Sequence, residues 1–242
     1  MLVIYLNISS LCLGHSDRRM QLINGFLIDK TEVTIGMFRK FIQHTGLKTT
    51  AEENGGGKVY ENGWVKKPGW IWSHPYGDLA EETEPVVHVT FEEATAFCKW
   101  NAKRLPTENE WREAAYTERR QNPPHPFSKD KTYLFPTGEK TSGANCLDDC
   151  GIKSPTENTN KLTRGHGHVP AGTTIRGVNG LYDMGANVWE WVSDQGSSHD
   201  QPTMGGSWWY GSWRMHKNDS ARKPPNTAVV YIGFRCAKTY LE

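Results

Sequence analysis

PVVHVTFEEATAFCKWNAKRLPTENEWREAA, residues 85–115, contains two helix starts of the same design. Thr90 is followed three residues later by Glu93, and Thr107 by Glu110. In such a box the Thr hydroxyl accepts from the third amide of the helix, while the Glu reaches back to the amide of the cap. The spacing predicts a helix from Thr90 through about Asn101 that buries Ala94, Phe97 and Cys98, with Trp100 a further candidate for the core. It predicts a second helix after Thr107 containing Trp111, Ala114 and Ala115.

Working outward, Leu22, Ile23, Phe26 and Ile28 form an apolar run that reads as one strand ending at Asp29–Lys30. Thr34 then caps a helix whose inner face is Met37, Phe38, Phe41 and Ile42, closed by Gly46. Residues 47–84 show little periodicity and are rich in Gly, Pro and Trp, which predicts a long irregular loop pinned by aromatics. Residues 120–180 are mostly turn formers. Short strands are expected at Val188–Val192, Gly206–Trp209 and Tyr231–Ala237. Few strands, a few helices and much ordered coil make an α+β domain.

The 242 residues are long enough to bury one substantial core, and ten Trp with 24 Gly suit a loop-rich fold tied by large rings. The 28 basic and 27 acidic residues form no basic stripe, which argues against a nucleic-acid partner. No stretch reaches the length of a membrane span. Residues 1–16 read as a possible remnant of a secretory signal and say nothing about the fold. Of the five cysteines, Cys12 falls in that segment. Cys98, Cys146, Cys150 and Cys236 suit either two disulfides or buried thiols. Cys146–Cys150 is a small-loop pair, and a zinc site on it would need two further ligands that the sequence does not show.

Five segments, in order, resemble the formylglycine-generating enzyme (sulfatase-modifying factor) family. They are GFLIDKTEVTIGMFRKF (25–41), the 85–115 stretch, NGLYDMGANVWEWVSD (179–194), GGSWWYG (205–211) and IGFRCA (232–237). The resemblance implies a single domain over residues 17–242 with a C-type-lectin-like variant fold of low regular secondary structure. It also implies a Cys98–Cys236 disulfide. The family's enzymes oxidise a substrate cysteine to an aldehyde, using two copper-binding cysteines three and eight residues after the Ser of the Gly-Gly-Ser motif. Here those positions are Tyr210 and Met215, and a soft monovalent metal loses its thiolates there. The formylglycine reaction and its copper are therefore not expected, although Ser207 and Trp189 match residues lining the family's pocket.

Other ligands follow from the same resemblance. Calcium would take side-chain oxygens from Asp183 and Glu190 and carbonyls from Ala186 and Val188, the alternative being that Glu190 pairs with an Arg. A second calcium site would begin at Asn145 and the Cys146 carbonyl. Iron would need His74, His88, His166 and His168 to gather, and two of these lie in a polar loop that is more often solvated. Trp208, Trp209, Tyr210, Trp213 and Arg214 form either a packed strand or a binding platform. The reading that follows is a periplasmic or secreted pseudoenzyme that binds a peptide, a protein or a small molecule. The alternative is a diverged oxygen-dependent oxidoreductase using Tyr210, Trp189 and Ser207. A third reading, a purely structural domain, leaves the cleft unexplained.

Overall fold

Both boxed threonines cap as the spacing predicts. In a computed structural model of the chain, which describes residues 19–151, 162, 167–194, 196 and 199–240, Thr90 accepts from Glu93 N and Glu93 from Thr90 N. Thr107 and Glu110 repeat the exchange. The first 16 residues and His166 lie outside the described residues.

The apolar run at 20–29 is two strands rather than one. β1 (Met20–Ile23) and β2 (Phe26–Asp29) pair antiparallel, with Ile23 opposite Phe26. Asn24 and Gly25 between them both have positive φ, the conformation that Asn-Gly supplies in a two-residue hairpin. Helix α1 (Ile35–Thr45) follows, capped by Thr34 and closed by left-handed Gly46. It buries Ile35, Phe38 and Phe41, while Met37 and Ile42 are only half-buried.

The stretch expected to be one long loop contains α2 (Thr50–Glu53), itself boxed by Thr49 and Glu52, and a hairpin of β3 (Lys58–Tyr60) and β4 (Trp64–Lys66). α3 (Phe91–Trp100) and α4 (Glu108–Tyr116) come from the boxes. Trp100 leaves the core, at 38% exposure, and covers Phe41 and His44 from outside.

β5 (Trp189–Trp191) lies between β6 (Gln201–Met204) and β8 (Ile232–Gly233), with β7 (Ala221–Lys223) outside β6. β5 and β8 run parallel, so Trp189 faces Ile232. β9 (Ala237–Thr239) returns to β2. The strand expected at Gly206–Trp209 is a turn, and the strand stands earlier, at β6. Gly205 and Gly206 both have positive φ and end it there. A Cβ on Gly205 would press on the Met184 carbonyl and the Trp111 ring.

Phe38, Phe97, Phe234 and Trp72 interlock in the main core, with ring centroids 5.4–6.4 Å apart. Both expected disulfides are present, Cys98–Cys236 and Cys146–Cys150, with Cα separations of 5.7 and 5.5 Å. The first joins α3 to the segment leading into β9 across 138 residues.

Candidate functional site

Of the residues that the sequence placed in the cleft, Trp189 stands on β5 and the others lie in the turn after Gly206, which divides them. Ser207 is buried, and its Oγ accepts from Trp209 N at 3.3 Å. Trp208 and Trp209 are 0% and 2% exposed, with their rings 5.2 Å apart, so they are core and not platform. Trp209 stacks on Tyr231. The platform that remains is Tyr210, half-buried, with Trp213 at 60% exposure and Arg214.

Arg214 works as a roof. Its guanidinium carbon lies 4.4 Å from the Trp213 ring centroid, 5.5 Å from Tyr210 and 5.6 Å from Trp189. Such cation–π contacts hold a charge over an aromatic surface. Its Nη1 meets Asp219 at 3.1 Å, but its Nε is buried with no acceptor among the described residues. Trp189, beneath it, is also buried, and its Nε1 has no acceptor among the described residues. Two neighbouring donors are thus left without partners, a cost that buried polar groups rarely carry.

A second loop leans against this turn. Leu147 N donates to the Tyr210 carbonyl at 3.0 Å. Asp149 accepts from Ser212 N at 3.1 Å and from the Ser212 hydroxyl, and these bonds hold its carboxyl below the usual range. Beneath them the Cys146–Cys150 disulfide packs on Met215, with Cys150 Sγ 3.6 Å from Met215 Sδ. Two cavities open elsewhere. One, of about 490 Å³, is lined by Lys58, Trp64, Lys66 and Lys223; the other, of about 390 Å³, by Asp29, Glu32, Met37 and Trp100.

The calcium residues meet a different arrangement behind the turn. Glu190 gives both carboxylate oxygens to Arg235, at 2.7 and 2.8 Å, and accepts Trp111 Nε1 at 2.7 Å. The ion pair that the sequence left as the alternative is present. Asp183 accepts from Gly172 N and Thr174 Oγ1, both at 2.5 Å. Glu32, missed in the sequence, is a third buried carboxylate here, bonded to Asn187 Nδ2 at 2.9 Å. Burial, and then the charges of Asp183 and Glu190, push its carboxyl well above the usual range. Burial likewise raises Asp183. Burial opposes the charge on Arg235, but Glu190, Glu32 and Asp183 together hold its pKa up.

No hydrogen bond among the described residues ends on the Ala186 or Val188 carbonyls, and the buried Oδ1 of Asn145 has no partner. These are oxygen donors of the kind a hard cation takes. Glu190 would have to share its oxygens with Arg235.

The three described histidines of the expected set, His74, His88 and His168, do not converge as metal ligands. His168 Nδ1 bonds Tyr76 Oη at 2.8 Å and its Nε2 bonds Glu84 at 2.7 Å. His88 Nε2 lies 3.0 Å from the Pro75 carbonyl, and His74 pairs with Ser73. Among the described residues the one group of three His, Cys, Asp or Glu side chains that converges is Cys146, Asp149 and Cys150.

A family model for the sulfatase-modifying factor enzyme 1-like domain matches residues 13–240. The chain belongs to this family. The formylglycine-generating enzyme of Mus musculus is 30% identical over 271 residues, covering 94% of this chain and 70% of that protein. The inactive C-alpha-formylglycine-generating enzyme 2 of Mus musculus is 29% identical, covering 93% of this chain and 79% of that protein. PvdO from Pseudomonas aeruginosa superposes with a TM-score of 0.59 at 20% identity, over 89% of this chain and 80% of that one. That likeness speaks for the fold alone.

Within the sulfatase-modifying factor family, this member has a phenol and a thioether at the positions where the resemblance places copper thiolates. Tyr210 and Met215 do not fit copper as those cysteines would. The Arg235 partner of Glu190 had a readable signal, a charge inside the apolar run YIGFRCA. The approach of Cys150 to Met215 spans 65 residues and had none.

Proposed function

We propose that this member of the family binds a ligand where its relatives oxidise one. The ligand is a peptide, or a small molecule with a peptide-like acceptor, docked on Tyr210, Trp213 and Arg214. One observation carries the reading: Trp189 Nε1 and Arg214 Nε are buried donors without acceptors among the described residues, and the Arg214 guanidinium lies between the exposed Trp213 ring, 4.4 Å away, and the Trp189 ring, 5.6 Å away. A ligand carbonyl or carboxylate would satisfy them, and Trp and Arg are the side chains on which binding energy concentrates. A relative described as inactive supports a member of the family that lacks the reaction.

The chain would hold Ca²⁺ as a structural ion, with oxygens from Asp183, Ala186, Val188 and Glu190 and a further donor in Asn145 beside the Cys146 carbonyl. Three buried carboxylates against one guanidinium support this. Two disulfides support a periplasmic or secreted location. Among the described residues no helix is long and apolar enough to cross a membrane.

The test uses a cysteine-containing sulfatase peptide, with copper and oxygen supplied. Calorimetry should show binding that weakens about tenfold or more in Trp213→Ala. Mass spectrometry should show an unmodified peptide. Oxygen-dependent aldehyde formation that disappears in Tyr210→Phe would replace this reading with the oxidoreductase one.

A further inference from the structure

The cavity of about 490 Å³ takes no part in the binding reading, and its charged side chains are all of one sign. Lys58, Lys66 and Lys223 line it together with Trp64, and no Asp or Glu does. In the β3–β4 hairpin Lys58 stands directly opposite Lys66, and Tyr60 opposite Trp64. Opposite residues share a face, as do residues two apart on a strand, so these four side chains project from one side of the hairpin. Val59, on the other side, is buried. Like charges set directly opposite destabilise a strand pair. Among the described residues no carboxylate makes an ion pair with any of the three lysines. Lys66 Nζ donates to the Asn54 carbonyl at 3.1 Å, which leaves its charge unanswered.

Lys223 comes from β7, in a different sheet. Burial, and then the charge of Arg214, pulls its amine below the usual range, with Asp200 and Asp219 acting the other way from farther off. Trp64 is 55% exposed, and its ring meets Tyr60 edge-on at 5.5 Å. A ring braced in this way offers a flat face for stacking. Gly56 and Gly57 line the cavity without side chains, and neither has room for one: a Cβ would meet the Lys67 carbonyl at 2.0 Å and His88 Nδ1 at 2.1 Å.

We propose that this cavity binds a mononucleotide, with the base stacked on Trp64 and the phosphate held by Lys58, Lys66 and Lys223. Trp64 and Lys66 are two residues apart on one strand, about 7 Å, a span that one ribose bridges between base and phosphate. A phosphate monoester carries about −1.5 to −2 charges near neutral pH, which answers the opposed lysine pair. Lysine takes phosphate as a point charge. Asn54 and Asn226, also on the lining, offer amides to the ribose hydroxyls. A cavity of this size suits a small ligand, and 28 basic against 27 acidic residues give a polyanion no continuing track. The lining shares no residue with Tyr210, Trp213 and Arg214, so Trp213→Ala should leave nucleotide affinity unchanged.

Calorimetry on the full chain tests the site, with adenosine monophosphate, adenosine and inorganic phosphate as probes. The nucleotide should bind, and adenosine and phosphate should each bind at least about tenfold more weakly. Trp64→Ala should weaken the nucleotide about tenfold and leave phosphate unchanged. Lys58→Gln with Lys66→Gln should weaken both about tenfold and flatten the salt dependence of nucleotide binding. All three side chains are exposed, and thermal unfolding would verify that the variants fold. Without ligand the lysine double variant should unfold no lower than wild type, because the like-charge pair is gone. Undetectable nucleotide binding, binding no tighter than that of phosphate, or equal affinity in Trp64→Ala and wild type overturns the site. Tighter binding of a short single-stranded DNA than of the nucleotide would overturn it in favour of a polyanion surface.

Discussion

The β5–β8 seam and the 206–215 turn are adjacent in space and opposite in construction. At the seam, Glu190 meets Arg235 and Trp111 through bonds of 2.7–2.8 Å. The disulfide at Cys236 stands one residue beyond that guanidinium. In the turn, Arg214 Nε finds no acceptor among the described residues, Trp213 lies in solvent, and Arg214 leans on three rings. The contrast separates what the family fold needs from what its chemistry needs. Removing either charge of the seam would leave the other buried without its partner, whereas the turn has a phenol and a thioether where the resemblance places thiols.

The seam should be the costlier place to cut. Arg235→Met leaves Glu190, Glu32 and Asp183 without their shared cation, and denaturant unfolding should show a loss of about 3–5 kcal/mol. Removing Glu190 as well, in Arg235→Met with Glu190→Gln, should recover part of it. If the single variant lost less than 1 kcal/mol, the two regions would not differ as described.

A second cut is made with pH. Burial, more than any charge, pulls the His88 pKa from 6.5 to about 4. The unfolded chain therefore binds this proton first as pH falls. Stability from His88 is whole above about pH 6.5 and is lost as pH drops through 4, about 3 kcal/mol in all. Glu32 and Asp183 are raised, so they act in the opposite direction in acid. The His88→Gln variant subtracts them: wild type and variant should diverge only below pH 6.5. Parallel stability curves from pH 7 to pH 4 would show that His88 does not titrate as a buried base.

Calcium sharpens the comparison last. If the carboxylate surplus at the seam holds Ca²⁺, a hundredfold excess of ion over its dissociation constant should add about 2.7 kcal/mol to stability. Chelator should remove it, and Asp183→Asn should abolish the response. A calorimetric scan indifferent to calcium and chelator would leave Arg235 as the sole counter-charge.

Legibility in the sequence followed the range of the interactions. The two capping boxes depend on residues three apart, and both were readable. The hairpin at Asn24–Gly25 is equally local, but its two-residue turn is masked by the apolar residues that flank it on both sides. The β3–β4 hairpin was hidden because its strands are three residues each and β4 is exposed throughout, which leaves no alternation to read. At the site, the exchange of thiols for Tyr210 and Met215 was visible by position. The burial of Trp208 and Trp209 was not, since it depends on Gly205 and Gly206 folding the chain back after β6. Glu32 and the Cys150–Met215 contact join residues far apart in the chain, where spacing carries no information.

The pairing of β2 with β9 has a consequence for the newly made chain. Phe26 finds Thr239 as its neighbour only once β9, far along the chain, has been synthesised. At about 5–20 residues per second, the far side of β2 stays uncovered for roughly 10 to 40 s. During that interval the hairpin presents an open ladder of amides and carbonyls to other nascent chains. Biogenesis of this domain is thus exposed to its greatest hazard before β9 emerges, and a holdase that shields residues 20–29 would raise its yield more than one acting later.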